Sequence, residues 1–412
     1  MDLELRAITE PERMKYHRAI ATAFGDLPTE EQLQAWGDVL PVDRTIAVFD
    51  DERIIATAAA FSFDLTVPGG AQLATAGVTA VGVHPTHRRR GLLRRMMDEQ
   101  LDDVARRGEP LAVLTASESS IYGRFGYGLA TFATAWELAT DRAVLGSPPE
   151  TAGHLRLVDR ADAPAIVGAI YDAAARTRVG EVTRDDKYWA RVYREQAGPA
   201  SPEGEDAPSF TVVHRDESGH DDGFARYAVT MQWPHGQASN TLRVIDLHAI
   251  DPAVEAALWE FLVNVDLVTT IKASDRPVDE SLRWRLAEPR RLTVTQVTDH
   301  LWVRVLDVAT ALSARTYAVA DELVLEIVDP FRPENDGCWL VDGSPTDARC
   351  ARTDRAPDLT MSIDDLGAIY LGGVAPSTLA HAGRVHERTP GSLARADTSF
   401  TIHPAPWCST HF

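Results

Sequence analysis

Cysteine is scarce: the 412-residue chain has three, Cys338, Cys350 and Cys408, all in its last quarter. An odd number without metal-type spacing argues against a disulfide framework and against a structural zinc. Long hydrophobic runs are missing too. The longest, such as Ile54–Phe61 and Leu111–Ala116, fall far short of the ~20 apolar residues that cross a bilayer. The chain opens Met1-Asp2-Leu3-Glu4 with no basic region leading into an apolar stretch, so no signal peptide is expected and a cytoplasmic location fits. No G-x-S-x-G elbow or GKS/GKT phosphate loop is present. Positive charge is in short supply, with 41 Lys and Arg against 61 Asp and Glu and a net charge of −20. That balance repels nucleic acid and anionic membranes and attracts cationic partners.

What is present is ordinary globular material, 44% hydrophobic and 25% charged, in a chain too long for one core. Loop-like compositions divide it into residues 1–145, 146–289 and 290–412. The first boundary is the run Gly146-Ser147-Pro148-Pro149-Glu150. The second stretch opens with a strand pattern at His154–Val158 and a helical one at Ala161–Ala175. It carries a polar Pro/Gly-rich insert, Ala197–Pro208. The third has a strand pattern at Leu323–Ile327 and a helical one at Ile363–Tyr370. Helix and strand signals alternate throughout, which places the chain in a mixed α/β class.

The first two stretches follow one plan. In the first, an apolar strand from about Ala76 to Val83 meets a turn and a helix from about Gly91 to Arg107. In the second, the strand Leu242–Ile250 meets Asp251-Pro252 and a helix from about Ala253 to Val265. The turns differ: the first carries Arg88-Arg89-Arg90-Gly91, the second Asp251 and Glu255. A helix start has unpaired N–H groups and a positive dipole end, a natural seat for a pyrophosphate. The arginines and Gly91 favour that use, and the acidic turn opposes it. Spacing along the first helix gives one core-facing stripe of Leu93, Met97, Leu101 and Val104. His84 and His87, across Pro85, are half a metal site and read as turn residues, so no metal is expected.

The segment Val81-Gly82-Val83-His84-Pro85-Thr86-His87-Arg88-Arg89-Arg90-Gly91-Leu92-Leu93-Arg94-Arg95-Met96 resembles the acetyl-CoA motif of GNAT acetyltransferases, Arg/Gln-x-x-Gly-x-Gly/Ala. Arg88 and Gly91 match. Leu93 departs from the general pattern but is normal in one branch, the enhanced intracellular survival (Eis) family of N-acetyltransferases. A second element, Ile121-Tyr122-Gly123-Arg124-Phe125-Gly126-Tyr127-Gly128, is similar to the Tyr-x-x-x-Gly-Phe/Tyr run that closes the GNAT cofactor cleft. The resemblance implies that Val81, Gly82 and Val83 contact the pantetheine arm. It further implies that Arg89, Arg90, Gly91, Leu92, Leu93 and Arg94 wrap the pyrophosphate, with Ser117 and Glu118 completing the acetyl-CoA site.

Acetyl transfer to an amine needs a base, a polarised thioester carbonyl and an acid for the departing thiolate. Tyr122 matches the family's general acid, and an ordinary tyrosine pKa of about 10 keeps it protonated at neutral pH. The resemblance supplies the terminal carboxylate of Phe412 as base, with Glu118 as the alternative. Trp407, Ile402 and Phe412 offer apolar anchors, and Pro404 and Pro406 stiffen the segment. Asp26 and Trp36 match substrate-pocket positions. Ala80 and His411 replace an aromatic and an acidic residue of the family, which leaves the acceptor open. The pattern from Leu301 to Val308 and the segment Leu359–Ala380 are similar to the family's sterol-carrier-like domain.

The implied architecture is two tandem GNAT-type mixed-sheet domains, the second degenerate, followed by a sterol-carrier-like α+β domain that supplies the C-terminus. The implied activity is transfer of acetyl from acetyl-CoA to primary amines of cationic acceptors, aminoglycoside-like molecules or lysine side chains, in a homohexamer. The competing expectation is a non-catalytic acetyl-CoA sensor or lipid carrier.

Overall fold

The computed structural model describes residues 3–412 apart from 38, 142, 147–149 and 196–207. Most of the expected first linker and of the insert Ala197–Pro208 thus lies outside the described residues. Among these, the strands form two seven-stranded sheets and one five-stranded sheet, with helices against them. The chain divides into two compact units. One comprises Met1–Thr131, Asp299–Pro406 and His411–Phe412, and the other Phe132–Thr298 and Trp407–Thr410.

The first sheet runs Glu4–Arg6, Thr45–Asp50, Arg53–Thr66, Gln72–Val83, Leu111–Thr115, Leu301–Val305 and Gly128–Leu129. Its centre is a hairpin of Arg53–Thr66 and Gln72–Val83, rich in alanine and β-branched residues that suit a sheet buried on both faces. Gln72–Val83 pairs in parallel with Leu111–Thr115 only from Thr75↔Leu111 to Gly77↔Val113. Beyond Gly77 the two strands no longer pair. Between Thr57↔Gly82 and Ala59↔Thr79 the register shifts, and Ala80 takes a left-handed φ of 53°. This is a β-bulge placed where the strands part.

Helix Leu92–Arg106 covers this sheet. It buries Met97, Leu101 and Val104 as the spacing predicts, and Leu92, Met96 and Gln100 besides, while Leu93 is half-buried. The buried face is wider than the expected stripe because Leu92 and Met96 pack toward Ile46, Val48 and Ile55, and Met97 and Leu101 toward Ala112 and Leu114.

Three strands cross the expected boundaries, among them Leu292–Asp299, which falls in the expected third stretch yet lies beside Phe132–Ala139 in the second sheet. Leu301–Val305, read as the opening of the third stretch, runs antiparallel to Leu111–Thr115 with all five residues paired. It removes an edge from the first sheet. Phe132–Ala139, read as the end of the first stretch, pairs with Val268–Pro277 in the second sheet.

The remainder of the first unit carries the sheet Ala348–Arg352, Gly337–Gly343, Asp321–Val328, Leu359–Ser362 and His386–Glu387. Helix Ile363–Tyr370 starts at a capping box from Ser362. It approaches so closely that a Cβ on Gly367 would stand 2.3 Å from the Val303 carbonyl oxygen. The fully buried Arg304 and Asp329 pair at 2.7 Å nearby.

The second unit's sheet runs Leu292–Asp299, Phe132–Ala139, Val268–Pro277, Asn240–Ala249, Asp221–Thr230, Ser209–Arg215 and His154–Val158. Its parallel pair, Asn240–Ala249 and Val268–Pro277, also parts midway, the last partners being Val244 and Ala273. Helix Pro252–Val263 follows, with Leu258, Trp259 and Leu262 in the core.

Candidate active site

The parting of Gln72–Val83 from Leu111–Thr115 opens a cavity of about 830 Å³ in the first unit. Its walls are the bulged strand end, the loop into helix Leu92–Arg106 and the turn after Leu111–Thr115. Val81, Gly82, Val83, Arg89, Gly91, Leu92, Leu93, Arg94, Ser117, Glu118 and Tyr122 all line it. Arg90, expected among them, instead turns back, its guanidinium 3.4 Å from the Thr86 carbonyl oxygen.

Local backbone chemistry explains the shape. Thr57 Oγ1 donates to the Ala80 carbonyl at 2.8 Å, which holds the bulge. Gly82 lets helix Arg13–Phe24 approach, since a Cβ there would lie 2.6 Å from that of Ala23. Arg89 and Gly91 take left-handed φ values of 63° and 79°, so the loop curls around a concave backbone surface. No side chain caps the N-terminus of Leu92–Arg106, and its first turn holds no acidic residue. Arg94 and Arg95 stand at that positive dipole end, an unfavourable arrangement unless an anion joins it. The cradle therefore fits a diphosphate.

The second unit's counterpart is closed to such use. Asp251 caps helix Pro252–Val263 by accepting from the Ala253 N–H at 2.7 Å, and Glu255 adds negative charge in the first turn.

Tyr122 starts a single helical turn, Tyr122–Phe125, that ends at Gly126 with φ 83°. A side chain at Gly126 would also strike the Arg304 guanidinium, 2.5 Å from where its Cβ would stand. The turn pins Tyr122 between the cavity and the buried Tyr127, the rings 5.9 Å apart and edge to face. Burial, and secondarily the charge of Glu118, push the Tyr122 hydroxyl above its ordinary pKa. Its hydroxyl therefore keeps its proton at neutral pH. Tyr127 is fully buried and its hydroxyl is pushed higher still by burial.

Phe412 lies half-buried against the same sheet. Its ring meets Phe63 with centroids 5.1 Å apart. Both rings crowd Gly77, where a Cβ would stand 2.2 Å from Phe63 and 3.3 Å from Phe412.

The two expected acceptor residues are placed outside the cavity wall. Asp26 is exposed, and its carboxylate accepts from the Leu27 N–H at 2.7 Å. Trp36 packs its ring on buried His17 at 5.7 Å. The neighbouring Phe24, 56% exposed, does line the cavity, with Ala23, Ile121, Arg124 and Phe125. Ala23 carries no local signal in the sequence; only its packing on Gly82 brings it there. His84 and His87 join a turn network through the Thr86 hydroxyl, at 2.7 and 2.8 Å.

Comparison with known proteins agrees with this geometry. Residues 4–130 match an acetyltransferase (GNAT) domain family, residues 180–305 a second acetyltransferase (GNAT) domain family, and residues 308–409 the sterol carrier protein domain. The chain is 42% identical to an uncharacterized N-acetyltransferase of Streptomyces coelicolor over 99% of both chains. It is 35% identical to the N-acetyltransferase Eis of Mycobacterium tuberculosis over 92% of each. Its structure superposes on Eis1 of Mycobacterium abscessus with a TM-score of 0.88 and 32% identity across the full length of both. A GCN5-related N-acetyltransferase of Anabaena variabilis, 18% identical, shares the fold at a TM-score of 0.84.

Proposed function

Since the chain belongs to the Eis family of GNAT N-acetyltransferases, we propose that it acetylates primary amines of cationic acceptors, aminoglycoside-like molecules or lysine side chains, by direct attack in a ternary complex. The GNAT fold implies acetyl-CoA as cosubstrate. The observation that carries the reading is the uncapped, arginine-flanked helix start facing one cavity together with Tyr122.

The roles follow from the chemistry of each wall. Backbone N–H groups at Leu92, Leu93 and Arg94, with Arg89, hold the diphosphate. Val81, Gly82 and Val83, beyond the last pair with Leu111–Thr115, turn the cavity-facing edge of their strand to the pantetheine arm. The amine nitrogen attacks the thioester carbonyl, the carbon–sulfur bond breaks, and the electron pair leaves on sulfur. Tyr122 gives that sulfur its proton and regains one from solvent. The proton shed by the attacking ammonium goes to the α-carboxylate of Phe412, with Glu118 on the cavity wall as the alternative acceptor. A net charge of −20 and the exposed Glu118 favour a cationic acceptor over a neutral one.

Thiol release from acetyl-CoA, followed across aminoglycosides, polyamines, lysine peptides and neutral amines of similar basicity, tests this. Turnover with the multiply charged amines and little with the neutral ones is the expected result. Equal rates for both classes would remove the electrostatic basis for the acceptor, and tight acetyl-CoA binding without thiol release from any amine would remove the acceptor class itself. Light scattering of the same preparation tests the homohexamer that the family resemblance implies.

A further inference from the structure

The second unit's sheet has its own parting of parallel strands, and part of the chain's last segment sits within it. Past Val244↔Ala273, Trp407 Nε1 donates to the Asp275 carbonyl at 2.7 Å, and its ring stacks on His248 at 5.4 Å. The Trp407 N–H donates to the Val179 carbonyl at 2.8 Å. Gly180, with φ 97°, leaves space for that backbone, since a Cβ would lie 2.8 Å from the Trp407 carbonyl oxygen.

Arg184 closes the arrangement. It is 5% exposed, and its guanidinium makes three separate contacts: Nη1 donates to Asp246 at 2.6 Å, Nη2 to Ser409 Oγ at 2.6 Å, and Nε to Thr410 Oγ1 at 2.9 Å. The ring of Tyr171 lies 4.0 Å from the guanidinium carbon. Glu181, fully buried, accepts from the Ser409 N–H at 3.1 Å, and Tyr171 Oη stands 3.1 Å from Thr410 Oγ1. Burying a guanidinium is costly, and here Asp246 pairs with it directly, the charge of Glu181 adds to that, and the two remaining contacts go to hydroxyls within the last four residues. A planar fork with fixed donor directions orients what it holds more sharply than an ammonium does.

We propose that Arg184 is a positioning residue for the end of the chain, fixing Ser409 and Thr410 in the second unit's strand gap so that Phe412 is delivered from a defined point. Two residues extend at most about 7 Å, so holding Thr410 confines the α-carboxylate to a small volume. A base held in a confined volume gives up less entropy on reaching its amine. The inference rests on the assignment of the Phe412 carboxylate as base only for its catalytic consequence; the anchoring stands on the contacts alone.

Two readouts separate the parts. Thr410→Val removes the hydroxyl while leaving the Arg184–Asp246 pair, and Arg184→Ala removes the fork; far-UV circular dichroism and a cooperative melt verify folding. In the full-length protein, a carboxypeptidase should release Phe412 about ten-fold faster from Thr410→Val, the scale of one charge-assisted hydrogen bond. Turnover should fall by a similar factor, with acetyl-CoA affinity unchanged within about two-fold. Arg184→Lys, which keeps the charge but not the fork, should restore the melt without restoring turnover. Unchanged release of Phe412 from both Thr410→Val and Arg184→Ala would overturn the anchoring. Faster release at undiminished turnover would uphold it and instead remove the base assignment.

Discussion

The ring of Phe412 packs edge to face on Phe63, 5.1 Å between centroids, beside the residue at which the cofactor strand parts from its parallel neighbour. That residue, Gly77, makes the contact possible. Gly77→Ala should push Phe63 and Phe412 apart, lower the rate of amine acetylation and cost about 1–3 kcal/mol of stability, as overpacking does. Acetyl-CoA affinity should hold, because the phosphate cradle is elsewhere. Calorimetric melting and steady-state kinetics measure both effects.

Tyr122→Phe should cut turnover by about 100-fold, the usual scale of general acid catalysis, and leave acetyl-CoA affinity nearly intact. The pH profile has a defined sign. Burial and Glu118 both raise the Tyr122 pKa, so the acid form persists to higher pH than in a free tyrosine and the alkaline loss of rate is delayed. Glu118→Gln removes one of those influences and should move that limb to lower pH. An unmoved alkaline limb would detach Tyr122 from proton donation.

Arg94 stands at the uncapped helix start. Arg94→Ala should weaken acetyl-CoA binding by about ten-fold or more, the loss of one charge-assisted contact. Acetyl-pantetheine, which has no diphosphate, should be used equally well by both forms. Equal losses with the two thioesters would place Arg94 in packing, where its guanidinium also lies 5.2 Å from the Phe331 ring.

Titration with coenzyme A should saturate at one molecule per chain. The second unit's helix start is capped by its own Asp251, and its strand gap holds Trp407. A second, comparably tight binding event in isothermal calorimetry would contradict both observations.

Asp246 links stability to pH. Burial alone would raise its carboxyl pKa, but Arg184 and then His248 hold it well below the ordinary carboxylate range. A depressed pKa contributes stability that is fully present above the unfolded value of about 3.9. That contribution is lost as pH falls through the folded value. Asp246→Asn should therefore cost about 3–5 kcal/mol near neutrality, since it leaves Arg184 buried and unpaired. The gap in melting temperature between the two forms should narrow below about pH 4.

The residues around the phosphate cradle were legible from the chain alone because strand, turn and helix there are contiguous. Val81 to Arg94 and Ser117 to Tyr122 are each continuous runs whose local form follows from backbone preferences, and the GNAT and Eis resemblances rest on those same runs; the parallel pairing of Gln72–Val83 with Leu111–Thr115 sets them opposite one another. Tertiary structure decided what depends on distant pairing. Leu301–Val305 and Phe132–Ala139 have ordinary strand patterns that do not reveal which sheet needs an edge filled. Ala23 and Phe24 reach the cavity wall only because Gly82 lacks a side chain. The buried Arg184, 225 and 226 residues before Ser409 and Thr410, has no signal in sequence at all. Periodicity reports which face of an element is buried, and hydrogen bonds between distant segments are settled only once the sheets are assembled.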